Sequence, residues 1–184
     1  MNPQKIKLIS FGGFDSEFLD KIVENIKKEF SSNIKLMDGH FDLIDYYDPA
    51  RRQYNADQIL MKLDIIYGND DSKVMGLFNV DIFIPIFTYI FGQAHLKGRS
   101  GMASMFRLSN ERYGIKADNA LLIERFSKEI IHELGHTFGL IHCRVPDCVM
   151  RSGTYVEDID QKNSSFCENC KKEMVAHYNE YNSL

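Results

Sequence analysis

Seven side chains with metal-ligating chemistry are gathered between His132 and Cys170 of this 184-residue chain. On a helix, residues four apart share one face about a turn apart, so His132 and His136 can turn two imidazole nitrogens toward a single ion. Glu133, next to the first histidine, then falls beside that ion, where it can orient a water. Gly139 follows three residues after His136, and a glycine there can take the left-handed conformation that ends a helix and swings the chain back. That turn delivers His142 as a third ligand. Three protein nitrogens leave a fourth position open, which distinguishes a catalytic zinc site from a closed structural one. The chemistry this arrangement suits is hydrolysis of a peptide bond. The ion would polarise the carbonyl and bring the pKa of water to about 7. Glu133 would take the proton from the attacking water and later pass it to the leaving amine. A bare H-E-x-x-H arises by chance on many helices, but the full H-E-x-x-H-x-x-G-x-x-H string carries two further positions at set offsets and is far more specific.

The four cysteines of the chain, Cys143, Cys148, Cys167 and Cys170, all fall in one stretch. Two close pairs separated by a loop is how a tetrahedral site of four thiolates is assembled. Adjacent side chains of an extended segment point to opposite sides, so His142 can face one ion while Cys143 faces a second, and the two sites would brace one another. Two disulfides, free buried thiols, or a redox pair at Cys167 and Cys170 are the competing readings. Three imidazoles suit zinc, and four thiolates suit zinc or iron. The expectation is two zinc ions per chain, one catalytic and one structural.

The elements that must position these groups read as α/β. Lys5 to Phe11 has strand character, Gly12-Gly13 breaks it, and Asp15 or Ser16 can cap a helix carrying Phe18, Leu19, Ile22, Val23, Ile26 and Phe30. The Gly-Gly turn lacks the motif of a phosphate cradle and reads as a tight βα turn. A second strand is expected at Asn33 to Met37 and a second helix from about Ala56, an alternation that calls for a mixed or parallel sheet. Strands follow at Lys73 to Val80 and Asp81 to Phe91, the latter broken or at an edge because of Pro85. A loop at Leu96 to Gly101 leads to a strand at Met102 to Leu108. A third helix, capped near Asp118 or Asn119, runs through Leu134 and bears His132 and Glu133. His40, His95 and His177 have no motif around them and read as solvated or core residues.

Length and a hydrophobic content of 44% fit one compact domain with a sizeable core. We divide it into residues 1–142, ending in the zinc-binding helix, and residues 143–184, holding the cysteines. A net charge of -4, with acids and bases interspersed, favours neither nucleic acid nor an anionic membrane. The pair Lys171-Lys172 is too little positive charge for a nucleic-acid module. No signal peptide and no membrane-spanning run is recognised, so a cytoplasmic monomer acting on peptides is expected.

From His132 to Cys170 the chain resembles the archaemetzincin family, whose signature joins the extended zinc motif to a C-x4-C-x-M segment and a later C-x-x-C. Here these read His132-Glu133-x-x-His136-x-x-Gly139-x-x-His142-Cys143, then Cys148-Val149-Met150, then Cys167 and Cys170. Arg51-Arg52-Gln53-Tyr54 and Gly92-Gln93-Ala94 also look similar to family sequences. The resemblance implies a metzincin-like mixed sheet with an active-site helix, and a C-terminal segment braced by the four-cysteine zinc site. It implies that Met150 is the methionine of the turn beneath the catalytic zinc, and that the strand around Phe91 to Ala94 pairs with an extended substrate. Tyr155 is a candidate oxyanion stabiliser by the same analogy. The function expected is a zinc-dependent peptidase. The alternative is a zinc-stabilised binding protein whose metal-loaded site has no general proteolytic activity.

Overall fold

In the computed structural model the backbone of residues 5–181 and the side chains of residues 5–177 are described. Strand β1 (Lys5–Phe11) ends at Gly12, whose φ of 113° turns the chain, and the Asp15 carboxylate accepts from the Phe18 N–H to cap α1 (Ser16–Glu29). Strand β2 (Asn33–Asp38) returns parallel to β1, from Lys5 opposite Asn33 to Ser10 opposite Asp38. After two short strands, β3 (Tyr47–Asp48) and β4 (Gln53–Asn55), the Asn55 side chain caps α2 (Ala56–Tyr67). Strand β5 (Lys73–Phe78) then lies parallel to β1 on its other side.

The main sheet, ordered β2-β1-β5-β8-β7, is completed by β8 (Ser100–Ser104), parallel to β5, and by β7 (Gly92–Ala94), antiparallel to β8 at the sheet's end. Alternation along β1 splits the core. Ile6 and Leu8 pack with Met75 and Leu77 beneath α1 and α3 (Asn119–Thr137), while Ile9 and Phe11 pack with Val74, Phe78 and Met102 beneath α2. The fold is therefore α/β, with helices on both faces of a mixed sheet.

Two strand expectations change. The stretch from Asp81 to Phe91 is not one strand: only β6 (Ile82–Phe83) forms, paired with β4 in a second small sheet, and Ile90 makes an isolated bridge to Ile82. Pro85 cannot donate to a ladder, and the loop from 84 to 90 is held by side chains instead. Arg51 Nη2 donates to the carbonyls of Phe87 (2.7 Å) and Thr88 (3.1 Å), and Gln53 Nε2 donates to Thr88 (3.0 Å). The strand expected from Met102 begins at Ser100 and stops at Ser104, because pairing with β5 draws Ser100 and Gly101 out of the preceding loop.

The Asp118 side chain caps α3 by accepting from the Leu121 N–H at 3.0 Å. From Arg125 to Gly135 this helix is buried all round, so its polar side chains need partners there. Arg125 makes a bidentate pair with Asp160 (2.7 and 2.6 Å) and donates to the Leu108 carbonyl, tying α4 (Val156–Asp160) to the helix. Helix α5 (Glu168–Tyr181) starts between the last two cysteines. Among the described residues no helix is long and apolar enough to cross a membrane.

Candidate metal centres and catalytic cleft

Helix α3 places His132 and His136 one turn apart, and Gly139, at φ 95°, turns the chain after it as its sequence position foretold. One atom each of His132, His136 and His142 can then lie within 4.8 Å of one another. The ring nitrogens facing away are anchored: His132 Nδ1–H donates to the Val149 carbonyl (2.8 Å) and His136 Nδ1–H to the Leu140 carbonyl (2.7 Å). Because a carbonyl only accepts, the neutral rings carry their protons on Nδ1, which leaves two bare Nε2 lone pairs 3.1 Å apart. Lone pairs so placed repel unless a cation lies between them. Nitrogens about 2.0–2.1 Å from a tetrahedral zinc are about 3.4 Å from each other, so the cluster fits that ion closely.

Burial pushes all three imidazoles below their ordinary pKa, His132 farthest. A protonated imidazole cannot ligate, so a depressed pKa moves proton competition to lower pH. We therefore expect the affinity of the histidine site for zinc, measured by chelator competition, to change little between pH 7.5 and 6.5 and to fall only below the ordinary value of 6.5. A decline beginning above pH 6.5 contradicts this.

Glu133 is buried beside His132 and lines a cleft of about 360 Å³ with the three histidines, β7, Tyr89, Glu129, Lys162 and the 152–154 loop. Burial, and Glu129 beside it, push its carboxyl well above the ordinary value, while Lys162 opposes them. A cation held by the histidines favours the ionised, proton-accepting form. A Cβ on Gly92 would stand 2.7 Å from Glu133 Cγ and 2.8 Å from its Oε1, so only glycine lets the rim strand pass this close to the carboxylate. Gly92→Ala is expected to lower kcat/KM about 10²-fold, the effect of roughly 1 Å of misplacement, with zinc content unchanged. Peptide hydrolysis and metal analysis on the same sample check it.

Met150 is fully buried against helix α3. Gly135 makes room for it, since a Cβ there would collide with Met150 Sδ. The Met150 carbonyl accepts from the Cys143 N–H at 2.9 Å. The four cysteines form the second cluster, with Cys143 and Cys167 sulfurs 3.8 Å apart and Cys148 and Cys170 sulfurs 3.7 Å apart. These are not disulfide lengths, and four sulfurs about 2.3 Å from a tetrahedral zinc are about 3.8 Å from one another. Burial pushes the Cys148 and Cys170 thiols up. It also raises Cys167, but the Cys170 N–H and the neighbouring thiols outweigh it and hold that group at about 7. Val149 joins the two clusters: it lies between Cys148 and Met150, and its carbonyl orients His132.

Tyr155 is exposed at the start of α4 and does not line the cleft. Tyr89 does, and its hydroxyl donates to the Thr154 carbonyl across to the opposite loop at 3.1 Å. His40, His95 and His177 belong to neither cluster. The sequence reading missed Glu129, Lys162 and Gly135. Glu129, one turn before Glu133 on the same face, was open to the argument that paired the histidines; Lys162 carried no signal.

Peptidase family M54 matches residues 5–176 of the chain. Archaemetzincin from Pyrococcus horikoshii is 37% identical over 161 residues, 85% of each chain. The crystal structure of archaemetzincin from Methanopyrus kandleri superposes with a TM-score of 0.85 at 30% identity, covering 97% of both chains. A zinc-dependent peptidase from Methanocorpusculum labreanum superposes with a TM-score of 0.83 at 28% identity, over 92% of this chain and 99% of that one.

Proposed function

Because the chain belongs to peptidase family M54, the archaemetzincins, and is a zinc metallopeptidase, we propose that His132, His136 and His142 hold its catalytic zinc and that Glu133 is its general base. The observation that carries this reading is the pair of carbonyl-anchored histidines whose bare Nε2 atoms face each other 3.1 Å apart beside a buried carboxylate. Zinc bound there supplies Lewis acidity toward a peptide carbonyl and water. The chain's own groups do the rest. Strand β7 offers its backbone to an extended peptide at the cleft rim. Glu133, kept in place by Gly92, accepts the proton of the attacking water and returns it to the departing amine. Met150 packs beneath the histidines without ligating.

Cys143, Cys148, Cys167 and Cys170 hold a second, structural zinc, giving two ions per chain; the sulfur separations support it. One metallopeptidase domain, cytoplasmic and monomeric, is the organisation that accompanies this reading. A zinc-stabilised binding protein is not favoured, since the relatives are peptidases and a purely structural site has no use for a base in the cleft. The test is an unbiased peptide mixture incubated with zinc-loaded and chelator-treated protein, products being read by mass spectrometry. Cleavage that needs zinc, with two zinc ions per chain by elemental analysis, is expected. Cleavage unaffected by chelation, or none, overturns the catalytic assignment.

A further inference from the structure

The outer edge of β7 sets where an extended chain lies in the cleft. Phe91 and His95 spend backbone groups on β8: the Phe91 carbonyl accepts from the Ser104 N–H (2.8 Å), and the His95 N–H donates to the Ser100 carbonyl (3.0 Å). Ladder bonds alternate, so Gly92 and Ala94 turn theirs outward at the end of the sheet. A chain added there passes Glu133, against which Gly92 lies. Beyond Gly92 the way is barred. The Tyr89 hydroxyl, on the rim, donates at 3.1 Å to the carbonyl of Thr154 on the opposite wall, and both residues line the cleft. Both ends of this bridge are fixed. The Arg107 guanidinium lies 4.2 Å over the Tyr89 ring and makes a bidentate pair with Asp81 (2.6 Å for each bond), while the Thr154 N–H donates to Asp158 of α4 at 2.8 Å.

We propose that the Tyr89–Thr154 bridge closes one end of the cleft, so that the enzyme trims peptides from the carboxyl end in pieces of at most about three residues, with Tyr89 the specificity-determining residue. The proposal rests on the peptidase reading above and names its mode of attack. No chain passes between two atoms in hydrogen-bond contact, so a peptide on the β7 edge must end at the bridge. Length follows from the strand. Tyr89 lies three residues before Gly92, and an extended chain rises about 3.3 Å per residue, which leaves about 10 Å between base and bridge. Direction follows from pairing. Antiparallel addition is the more stable mode, and β7 runs away from Tyr89 toward His95, so an antiparallel substrate points its carboxyl end at the bridge.

Two readouts test this on the zinc-loaded protein. In an unbiased peptide mixture, cuts within about three residues of the carboxyl end are expected to exceed internal cuts by about 10²-fold, the effect of a misplaced scissile bond. The second readout needs no turnover: Glu133→Gln protein is titrated calorimetrically with one unstructured peptide fused to a folded domain through either end. The fusion whose carboxyl end is free is expected to bind about tenfold more tightly, the worth of about one or two backbone hydrogen bonds that only it completes at Gly92. Tyr89→Phe keeps the ring and deletes the bridge, and should raise internal cuts about tenfold. Tyr89→Ala should abolish both preferences; if it does not fold, Tyr89→Phe carries the test. Wild-type cuts spread through the peptides or gathered at the amino end, or a preference that these variants leave intact, overturn the closed end while the peptidase reading stands. No cleavage, with the fusion order as expected, overturns the peptidase reading and keeps the closed end; failure of both overturns both.

Discussion

Glu133→Gln is expected to lower kcat/KM for peptide hydrolysis by about 10³-fold, within the 10²–10⁴ range of a positioned general base, while the zinc content stays that of the wild type. The carboxamide has the shape of the carboxylate and fills the same space against Gly92, so neither the rim strand nor the histidines need move. What it loses is the ability to accept a proton from water and hand it on. None of the three histidines is hydrogen-bonded to Glu133; His132 and His136 are oriented by the carbonyls of Val149 and Leu140. Metal binding and base catalysis are therefore separable by this one substitution. Activity within about tenfold of wild type would remove Glu133 from the base role. Loss of zinc together with activity would make it a support of the metal site instead.

Cys170→Ser is expected to lower the zinc content by one ion and the thermal midpoint by about 10 °C, the equivalent of several kcal/mol in a chain of this size. Cys170 is buried at the start of α5, opposite Cys148, and the four-sulfur cluster is what ties that helix to the segment after His142. The loss should also reach the catalytic site. Val149 sits between Cys148 and Met150, and its carbonyl fixes the His132 ring. Releasing it is expected to weaken zinc binding at the histidines about 10–100-fold, as when an outer-shell partner is removed. Scanning calorimetry with metal analysis measures the first effect and chelator competition the second. A chelator should lower the wild-type midpoint and dithiothreitol alone should not. The reverse pattern would favour disulfides, and an unchanged zinc content in the variant would end the structural-site assignment.

The histidine cluster was legible because its determinants are local. Four residues make one helical turn whatever the rest of the chain does, and a glycine at position 139 turns a helix end by its own conformational freedom. Helix α3 and its cap, the strand-turn-helix opening and the α/β alternation were read for the same reason: capping side chains and hydrophobic periodicity act within a few residues. The misreadings fell where local preference was overruled. Residues 84–90 have strand composition, yet Pro85 and the bonds from Arg51 and Gln53, more than thirty residues earlier, hold them as a cleft rim. The C-terminal helices α4 and α5 are short or mostly polar, and nothing in their own pattern marked them as elements.

The ligand types, their order and the base beside them belong to the sequence alone, because a metal site on a helix is a matter of spacing. Tertiary structure alone decided which backbone carbonyls set the ring tautomers, which glycines admit Glu133 and Met150, and that Lys162 is buried against Glu129 in the lining of the cleft. Apart from the His136 bond to Leu140, four residues on, each of these is a contact between residues distant in the chain. It depends on the closing of the core and not on any preference a short segment carries by itself.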